Sequence, residues 1–142
     1  MLEGWTTISI LAGMTSRIRL GTLVTGIIYR HPSVLAKMGA TLDVLSKGRL
    51  FMGIGAAWNQ EESFAYGIPF PSAKERLMRL EETIQIIQKM WTQEEPAATF
   101  NGKYYKLKNA LLQSQANTET FTTNHGGRGW RTIYFENSSK IC

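Results

Sequence analysis

The chain has 142 residues, and 16 lysine and arginine residues against 11 aspartate and glutamate residues give it a formal net charge of +5. This length suits one ordinary domain but is below the roughly 250 residues of a closed (β/α)8 barrel. The basic residues are scattered singly, which argues against nucleic acid as a partner, and the one cysteine leaves no disulfide framework or cysteine metal site. Without a long apolar run or a signal-peptide pattern, we expect no membrane partner and a cytoplasmic protein.

The first predicted elements are a helix and a strand. A helix over residues 2–16 follows from apolar residues spaced for one helical face, namely Trp5, Ile8, Leu11 and Ala12. Residues 17–26, RIRLGTLVTG, are rich in β-branched and apolar side chains and predict a strand that ends in glycine.

A crossover helix and a second strand follow. Proline at the start, apolar residues at i, i+3, i+7 and i+10, and Gly48 as a stop predict a helix over 32–46. Residues 49–57 form a near-continuous apolar run, as expected for a parallel strand buried on both faces. With the strand at 17–26, these segments predict a βαβ unit, whose chemistry lies at the carboxyl ends of the strands.

The remaining regular patterns are a loop, a long helix and a hairpin. Asn59–Pro71 is predicted as a loop because it is rich in turn-forming residues. Ser72 and Glu75 form a capping-box pattern ahead of apolar residues that recur at steps of three and four. Residues 98–107 predict a hairpin that turns at Asn101–Gly102 through a type I′ turn.

Several of these segments together resemble one family. The resemblance rests on RIRLGTLVTG, YRHPSVLAKMGATLDVLSKGRLFMGIGAAWN, AYGIPFP and ERLMRLEETIQIIQKMW, and it covers roughly residues 2–112. The joint pattern is similar to the bacterial-luciferase-like oxidoreductases, and closest to their branch that uses the deazaflavin coenzyme F-420 in place of FMN. The resemblance implies an α/β fold, a partial (β/α)8 TIM barrel of the middle βα units only, with an added β-hairpin.

The sequence changes character after about residue 112. Residues 113–142 have no helical period, few aliphatic side chains and a bias towards Thr, Asn, Ser and Gly. We therefore expect a partial barrel domain over 1–112 and an irregular non-family tail over 113–142, either disordered or frameshifted. Read from the second codon bases, Gln115–Gly127 can spell a continuation like that of the family, so the hypothesis is an out-of-frame translation.

The resemblance implies a redox cofactor, coenzyme F-420 or FMN, at the carboxyl ends of the strands. It implies that the Thr25 hydroxyl contacts this cofactor, beside a bulge with a non-prolyl cis peptide near Thr22–Val24. The alternative for Thr25 is a strand-end residue bonded to local backbone. Gly55, Ala56 and Ala57 are small enough for backbone N–H groups to approach a flat heterocycle, or else for the strand to pack tightly against a helix.

Other residues near these strand ends are open to two interpretations. Asn59 is predicted to hydrogen-bond the cofactor or substrate, or to cap local structure. In some sugar-phosphate-oxidising relatives a Glu acts in proton transfer at about the place of Trp58, so tryptophan argues against that substrate class. His31 fits helix entry better than proton donation. Glu61 and Glu62 flank the loop at the strand ends and fit solvent exposure better than the alternative of substrate binding. The catalytic group is therefore unknown, and no metal site is legible.

The resemblance implies an oxidoreductase that transfers hydride between coenzyme F-420 or FMN and a small organic substrate. With FMN, reaction of the reduced cofactor with oxygen would make the enzyme a monooxygenase. Two alternatives are a truncated, catalytically inactive barrel fragment and an oligomer-forming subunit, since an open apolar strand edge favours association. The expected partners are a small-molecule substrate and further copies of the chain as a homo-oligomer.

Overall fold

The computed structural model describes residues 2–92, 97–112, 120–126 and 130–136, with the last two segments described by their backbone. The elements are helix α1 (Gly4–Met14), strand β1 (Leu20–Gly26), a 3-10 turn (Ile27–Tyr29), helix α2 (Pro32–Leu45), strand β2 (Leu50–Gly55), helix α3 (Gln60–Ala65), helix α4 (Ala73–Trp91), and strands β3 (Ala98–Asn101), β4 (Lys106–Ala110), β5 (Thr120–Gly126) and β6 (Trp130–Glu136). Among these, no helix is both long and apolar enough to cross a membrane.

The predicted βαβ unit is confirmed. Strands β1 and β2 pair in parallel, from Leu20 opposite Leu50 to Gly26 opposite Gly55, with α2 as the crossover. Gly48 lies at the stop of α2 as expected: its N–H donates to the Asp43 carbonyl at 2.8 Å, which is the long-range bond of a Schellman cap, and the left-handed residue of that cap is Lys47, with a φ of 60°. The unit therefore sends both strands towards one edge of the sheet.

The sheet continues in a way that the sequence did not predict. Its strand order is β1-β2-β6-β5, and β6 pairs antiparallel with β2 through residues 133–136. The expected irregular tail therefore contains a hairpin, β5–β6. The physical reason is that the second edge of β2 presents unpaired N–H and C=O groups, on which a Thr- and aromatic-rich segment can form a ladder. The α/β class is confirmed; the barrel and the origin of the tail stay predictions.

The core lies between this sheet and the helices α2 and α4. Its most buried side chains, each at 1% exposure or less, include Leu35, Leu50, Met52, Ile54, Leu80, Ile86 and Ile87. The indole N–H of Trp91 at the end of α4 donates to the Ala36 carbonyl of α2 at 2.9 Å. Arg49 links α1 to the βαβ unit. Its guanidinium donates to four carbonyl oxygens at 2.8–3.0 Å, those of Ala12, Thr15, Ile18 and Ser46.

The second half of the chain differs from the predictions in one loop and one turn. The predicted loop Asn59–Pro71 contains the short helix α3, which Asn59 caps by accepting from the Glu62 N–H at 3.1 Å. The predicted hairpin is confirmed as β3–β4, but its turn is a four-residue loop in which the Gly102 N–H donates to the Tyr105 carbonyl at 2.9 Å. The predicted type I′ turn at Asn101–Gly102 is therefore wrong. The loop instead folds around the carboxylate of Glu82, which accepts hydrogen bonds from its backbone N–H groups.

Candidate functional site

The carboxyl ends of β1 and β2 lie side by side because the two strands are parallel. Their last residues, Gly26 and Gly55, are register partners, and the register of β1 shifts between Thr22 and Thr25 as a bulge. The peptide between Leu23 and Val24 is cis. The bulge and the cis peptide expected near Thr22–Val24 are thus both present.

A cavity of about 550 Å³ opens beside the end of β1. We call it the mouth cavity. Its walls come from the start of α1, from β1 and the 3-10 turn, and from α3 and the loop behind it; the polar or titratable wall residues are Glu3, Trp5, Thr22, Thr25, Tyr29, Arg30, Glu62 and Tyr66. Apolar residues, including Leu2, Val24 and Ile68, complete the wall. Hydrogen-bonding groups and apolar surface therefore face the same space.

Thr25 lies in the wall of the mouth cavity with its hydroxyl already engaged. The side chain is 5% exposed, and its Oγ1 accepts from the Trp5 indole N–H at 3.0 Å. The Thr22 hydroxyl lies 2.6 Å from the same oxygen and 3.4 Å from the Gly53 carbonyl. If Thr22 donates to Thr25, the hydroxyl hydrogen of Thr25 remains available to a bound molecule. The described partners of the Thr25 hydroxyl are thus two side chains, and its role towards a cofactor stays a prediction.

The other four predicted cofactor residues are the last residue of β2 and three residues after it, and none of them lines the mouth cavity. Gly55 packs closely on Val24, because a Cβ there would lie 3.0 Å from Val24 Cγ2. Ala56 is buried, and its carbonyl accepts from Arg76 Nε at 3.1 Å. Ala57 is buried with a left-handed φ of 66°. Asn59 uses its side-chain oxygen to cap α3. Close packing and capping therefore account for much of this segment.

The charged groups of the mouth cavity begin with an ion pair. Arg30 lies 2.6 Å from Glu3, the N-cap of α1. Burial of the Glu3 carboxylate acts to raise its pKa, but hydrogen bonds from Thr6, Trp5 and Arg30 outweigh burial and lower the pKa from 4.5 to about 2. The Glu3 carboxylate therefore stays ionised across the physiological pH range, and its oxygens keep these hydrogen-bond partners.

A phenol and a carboxylate form the second polar pair. The Tyr29 hydroxyl donates to Glu62 Oε2 at 2.8 Å. Burial, and then the hydrogen bond and charge of Glu62, raise the pKa of Tyr29 above its ordinary value, although a Ser63 contact opposes them. The Tyr29 ring packs on Gly26, where an added Cβ would lie 2.8 Å from Tyr29 Cε2 and 3.2 Å from Ala57 Cβ. The pair thus lies against the ends of both strands.

Sequence reasoning missed Trp5 and Tyr29 as wall residues, and for Glu62 it favoured solvent exposure over substrate binding. The one local signal was Asn59 followed three positions later by Glu62, which is the spacing of a helix start. His31, by contrast, has the helix-entry role that was expected, since its Nδ1 caps α2 by accepting from the Ser33 N–H at 3.3 Å. Trp58 is 75% exposed.

The profile of the luciferase-like monooxygenase family matches residues 2–131. The chain belongs to this family. The match extends beyond residue 112, where a departure from the family was expected. Among the relatives of this family member is an F-420-dependent glucose-6-phosphate dehydrogenase of Kineococcus radiotolerans, 41% identical over 103 residues, which are 72% of this chain and 30% of that protein.

Solved structures share the fold of this family member. A structure of an F-420-dependent secondary alcohol dehydrogenase with an F-420–acetone adduct superimposes with a TM-score of 0.75 and 25% identity, over 83% of this chain and 36% of the other. The FMN complex of the oxygenating constituent of a type II Baeyer–Villiger monooxygenase from Pseudomonas putida gives a TM-score of 0.67 at 24% identity, over 80% of this chain and 33% of the other. That last likeness shows the fold alone. The chain spans about a third of the length of the curated relatives it matches.

Proposed function

We propose that the protein is an oxidoreductase that transfers hydride between coenzyme F-420, or FMN, and a small organic substrate bound in the mouth cavity. The observation that carries the proposal is the position of Thr25, which faces a cavity of about 550 Å³ beside the bulged end of β1 in a chain of this family. The family match favours this activity over an inactive fragment or an oligomer-forming subunit.

The residues present suit a flat ring with polar edges. Gly26 and Gly55 have no side chains of their own, and the Tyr29 ring and Val24 pack over them, so the strand ends present aromatic and apolar surface. Two hydroxyls, of Thr22 and Thr25, lie 2.6 Å apart in the same wall. Deazaflavin or flavin would supply the hydride chemistry when bound. The cofactor residues predicted from the sequence remain the proposed ones: Thr25 would contact the ring from the cavity wall, and Gly55, Ala56, Ala57 and Asn59, which do not line the cavity, would support that wall.

The protein's own residues would bind the cofactor and fix the orientation of its ring. The Trp5 indole occupies one lone pair of Thr25 Oγ1 and so directs the hydroxyl hydrogen away from α1. Val24, 41% exposed, offers apolar surface beside it for a ring face. The small residues at the strand ends allow backbone N–H groups to approach the ring. Holding the ring in one orientation next to a substrate lowers the entropic part of the barrier.

The test is a fluorescence titration of the full chain with coenzyme F-420 and, separately, with FMN. Thr25→Val should weaken binding about three- to tenfold, the effect of one neutral hydrogen bond. Thr25→Ser keeps the hydroxyl and is the matched control, with wild-type affinity expected. A parallel thermal melt separates lost binding from lost folding, because Thr25→Val also leaves the Trp5 N–H without its acceptor.

Tighter binding of one cofactor identifies it as the one used. Failure of the folded wild-type chain to bind either cofactor would refute the proposal. Equal cofactor affinities of the Thr25→Val and Thr25→Ser variants would show that the Thr25 hydroxyl does not contact the cofactor. They would not contradict cofactor binding by the chain.

A further inference from the structure

We propose that Glu62, assisted by Tyr29, is the proton-transfer group of the mouth cavity, an inference that rests on the proposed function. Oxidation of an alcohol by hydride transfer removes the hydrogen of a C–H bond together with both bonding electrons. The hydroxyl proton of the same molecule must then leave, and in the reverse direction a proton must return to the oxygen. A positioned side chain that accepts and returns this proton speeds the reaction by about 100- to 10,000-fold.

Elimination among the titratable wall residues leaves one pair. Glu3 is occupied by Thr6, Trp5 and Arg30, and a carboxylate whose pKa is about 2 is a very weak base. Arg30 is permanently protonated and paired with Glu3. Tyr66 is 70% exposed, so its hydroxyl is in contact with solvent. Tyr29 and Glu62 remain.

The geometry of the pair suits proton transfer. Glu62 Oε2 accepts from the Tyr29 hydroxyl, while Oε1 accepts no hydrogen bond from any residue that the structure describes. One carboxylate oxygen is thus held in place and the other is available to a substrate hydroxyl. The backbone beneath is fixed as well, because the Glu62 N–H donates to the Asn59 side chain at 3.1 Å.

The position of the pair also agrees with the proposed cofactor site. The Tyr29 ring lies where a side chain on Gly26 would be, between the end of β1 and Ala57. Tyr29, Glu62 and Thr25 all line the mouth cavity. A substrate between Thr25 and Glu62 would therefore have the ring on one side and the carboxylate on the other.

The step balances without a further reactant. The alcohol C–H bond breaks and its hydride leaves to the cofactor that the proposed function names. The O–H bond breaks and its proton goes to Glu62 Oε1, which leaves a carbonyl product and a neutral carboxylic acid. Tyr29 donates to the other oxygen throughout, and the proton then passes to solvent.

A cofactor-free experiment tests the pair directly with propylene oxide as the probe. A Glu62 oxygen attacks a ring carbon and the ring C–O bond breaks. Tyr29 gives its hydroxyl proton to the released oxygen and takes a proton back from water, which leaves a 2-hydroxypropyl ester on Glu62. Peptide mapping by mass spectrometry should show Glu62 esterified about tenfold or more faster than Glu61, its exposed neighbour on α3. Tyr29→Phe should slow only the reaction at Glu62. Equal rates at Glu61 and Glu62, or no effect of Tyr29→Phe, would overturn the inference.

A second experiment uses the full chain with coenzyme F-420 and propan-2-ol. Glu62→Gln should slow cofactor reduction about 100-fold or more while the cofactor dissociation constant stays within about twofold. Glu61→Gln is the matched control and should leave both quantities unchanged. A Glu62→Gln variant as active as the wild type would also overturn the inference. Absence of cofactor binding in the wild type counts against the proposed function instead, and the epoxide result then decides the role of Glu62.

Discussion

Ala57 is an L-residue held in a conformation that favours glycine. Its φ of 66° directs the chain sharply out of β2, and its side chain is 8% exposed. Left-handed backbone costs a non-glycine residue about 1–2 kcal/mol, while glycine loses more conformational freedom on folding by about 0.5–1 kcal/mol. The same left-handed conformation occurs at Lys47 and Asn109, with φ of 60° and 51°, so its energetic cost rather than its location is what can be tested at Ala57.

We therefore predict that Ala57→Gly raises the free energy of unfolding by about 0.5–1 kcal/mol. Urea unfolding of the full chain measures it. Ala40→Gly is the control, because Ala40 is fully buried inside α2 and the same substitution there should lower stability by about 1 kcal/mol or more. A loss of stability in Ala57→Gly would show that the surroundings, and not the backbone, decide this position.

Single residues divide into those that local sequence can reveal and those that it cannot. Gly48 and His31 act on their own helix ends, so the pattern around them was sufficient. Trp5 and Thr25 are 20 residues apart, and Tyr29 and Glu62 are 33 apart. The packing of α1 on β1 brings the first pair together, and the parallel register of β1 and β2 brings the second together. The local sequence contains no signal for either contact.

At the scale of elements, the β3–β4 hairpin is attached to α4 by one carboxylate. Glu82 accepts from three successive backbone N–H groups of the turn, those of Lys103, Tyr104 and Tyr105, at 2.8–3.3 Å. Gly102 makes this approach feasible, since a Cβ there would overlap the Glu82 carboxylate and the Phe100 ring. A distant side chain therefore decides the turn, which explains why the local Asn101–Gly102 signal failed.

Glu82→Gln should lower the free energy of unfolding by about 1–2 kcal/mol, because the amide keeps one acceptor and turns an N–H₂ donor towards other donors. Hydrogen exchange of the Lys103, Tyr104 and Tyr105 amides should speed up in the same variant. Glu81→Gln, on the exposed side of α4, is the control and should change neither quantity by a measurable amount. Unchanged amide exchange in Glu82→Gln would contradict the attachment.

Helices and strands were predicted to different degrees because they differ in length and partners. Helix α4 has 19 residues with a regular apolar face, and α2 has 14 with proline and glycine at its ends. Helix α3 has six residues, too few for a period to emerge. Strand β6 depends on the free edge of β2, which is a property of the assembled sheet and not of residues 130–136.

For the whole molecule, the β5–β6 hairpin covers the second edge of β2. Ile133 of β6 is the register partner of Ile54 on one side and of Thr123 on the other. Proline removes a backbone N–H and is tolerated poorly inside a sheet. Ile133→Pro should therefore separate β6 from β2, lower the free energy of unfolding by about 1–3 kcal/mol and increase self-association in sedimentation velocity runs.

Ile133→Val keeps the N–H and the branched side chain and should behave as the wild type. If Ile133→Pro sediments and unfolds like the wild type, the hairpin does not cover this edge. The second edge of β2 would then be open for the homo-oligomer that the sequence predicts.

The pairing of β2 with β6 also has a consequence for folding during synthesis, because β6 is made long after β2. Ile54 and Ile133 are about 80 residues apart, so at about 5–20 residues per second a ribosome completes β6 roughly 4–16 s after β2. The β5–β6 hairpin itself closes within about 1–10 μs once made. During those seconds the N–H and C=O groups on the second edge of the apolar strand Leu50–Gly55 have no partner strand. A chaperone that binds nascent chains would bind this strand in that interval.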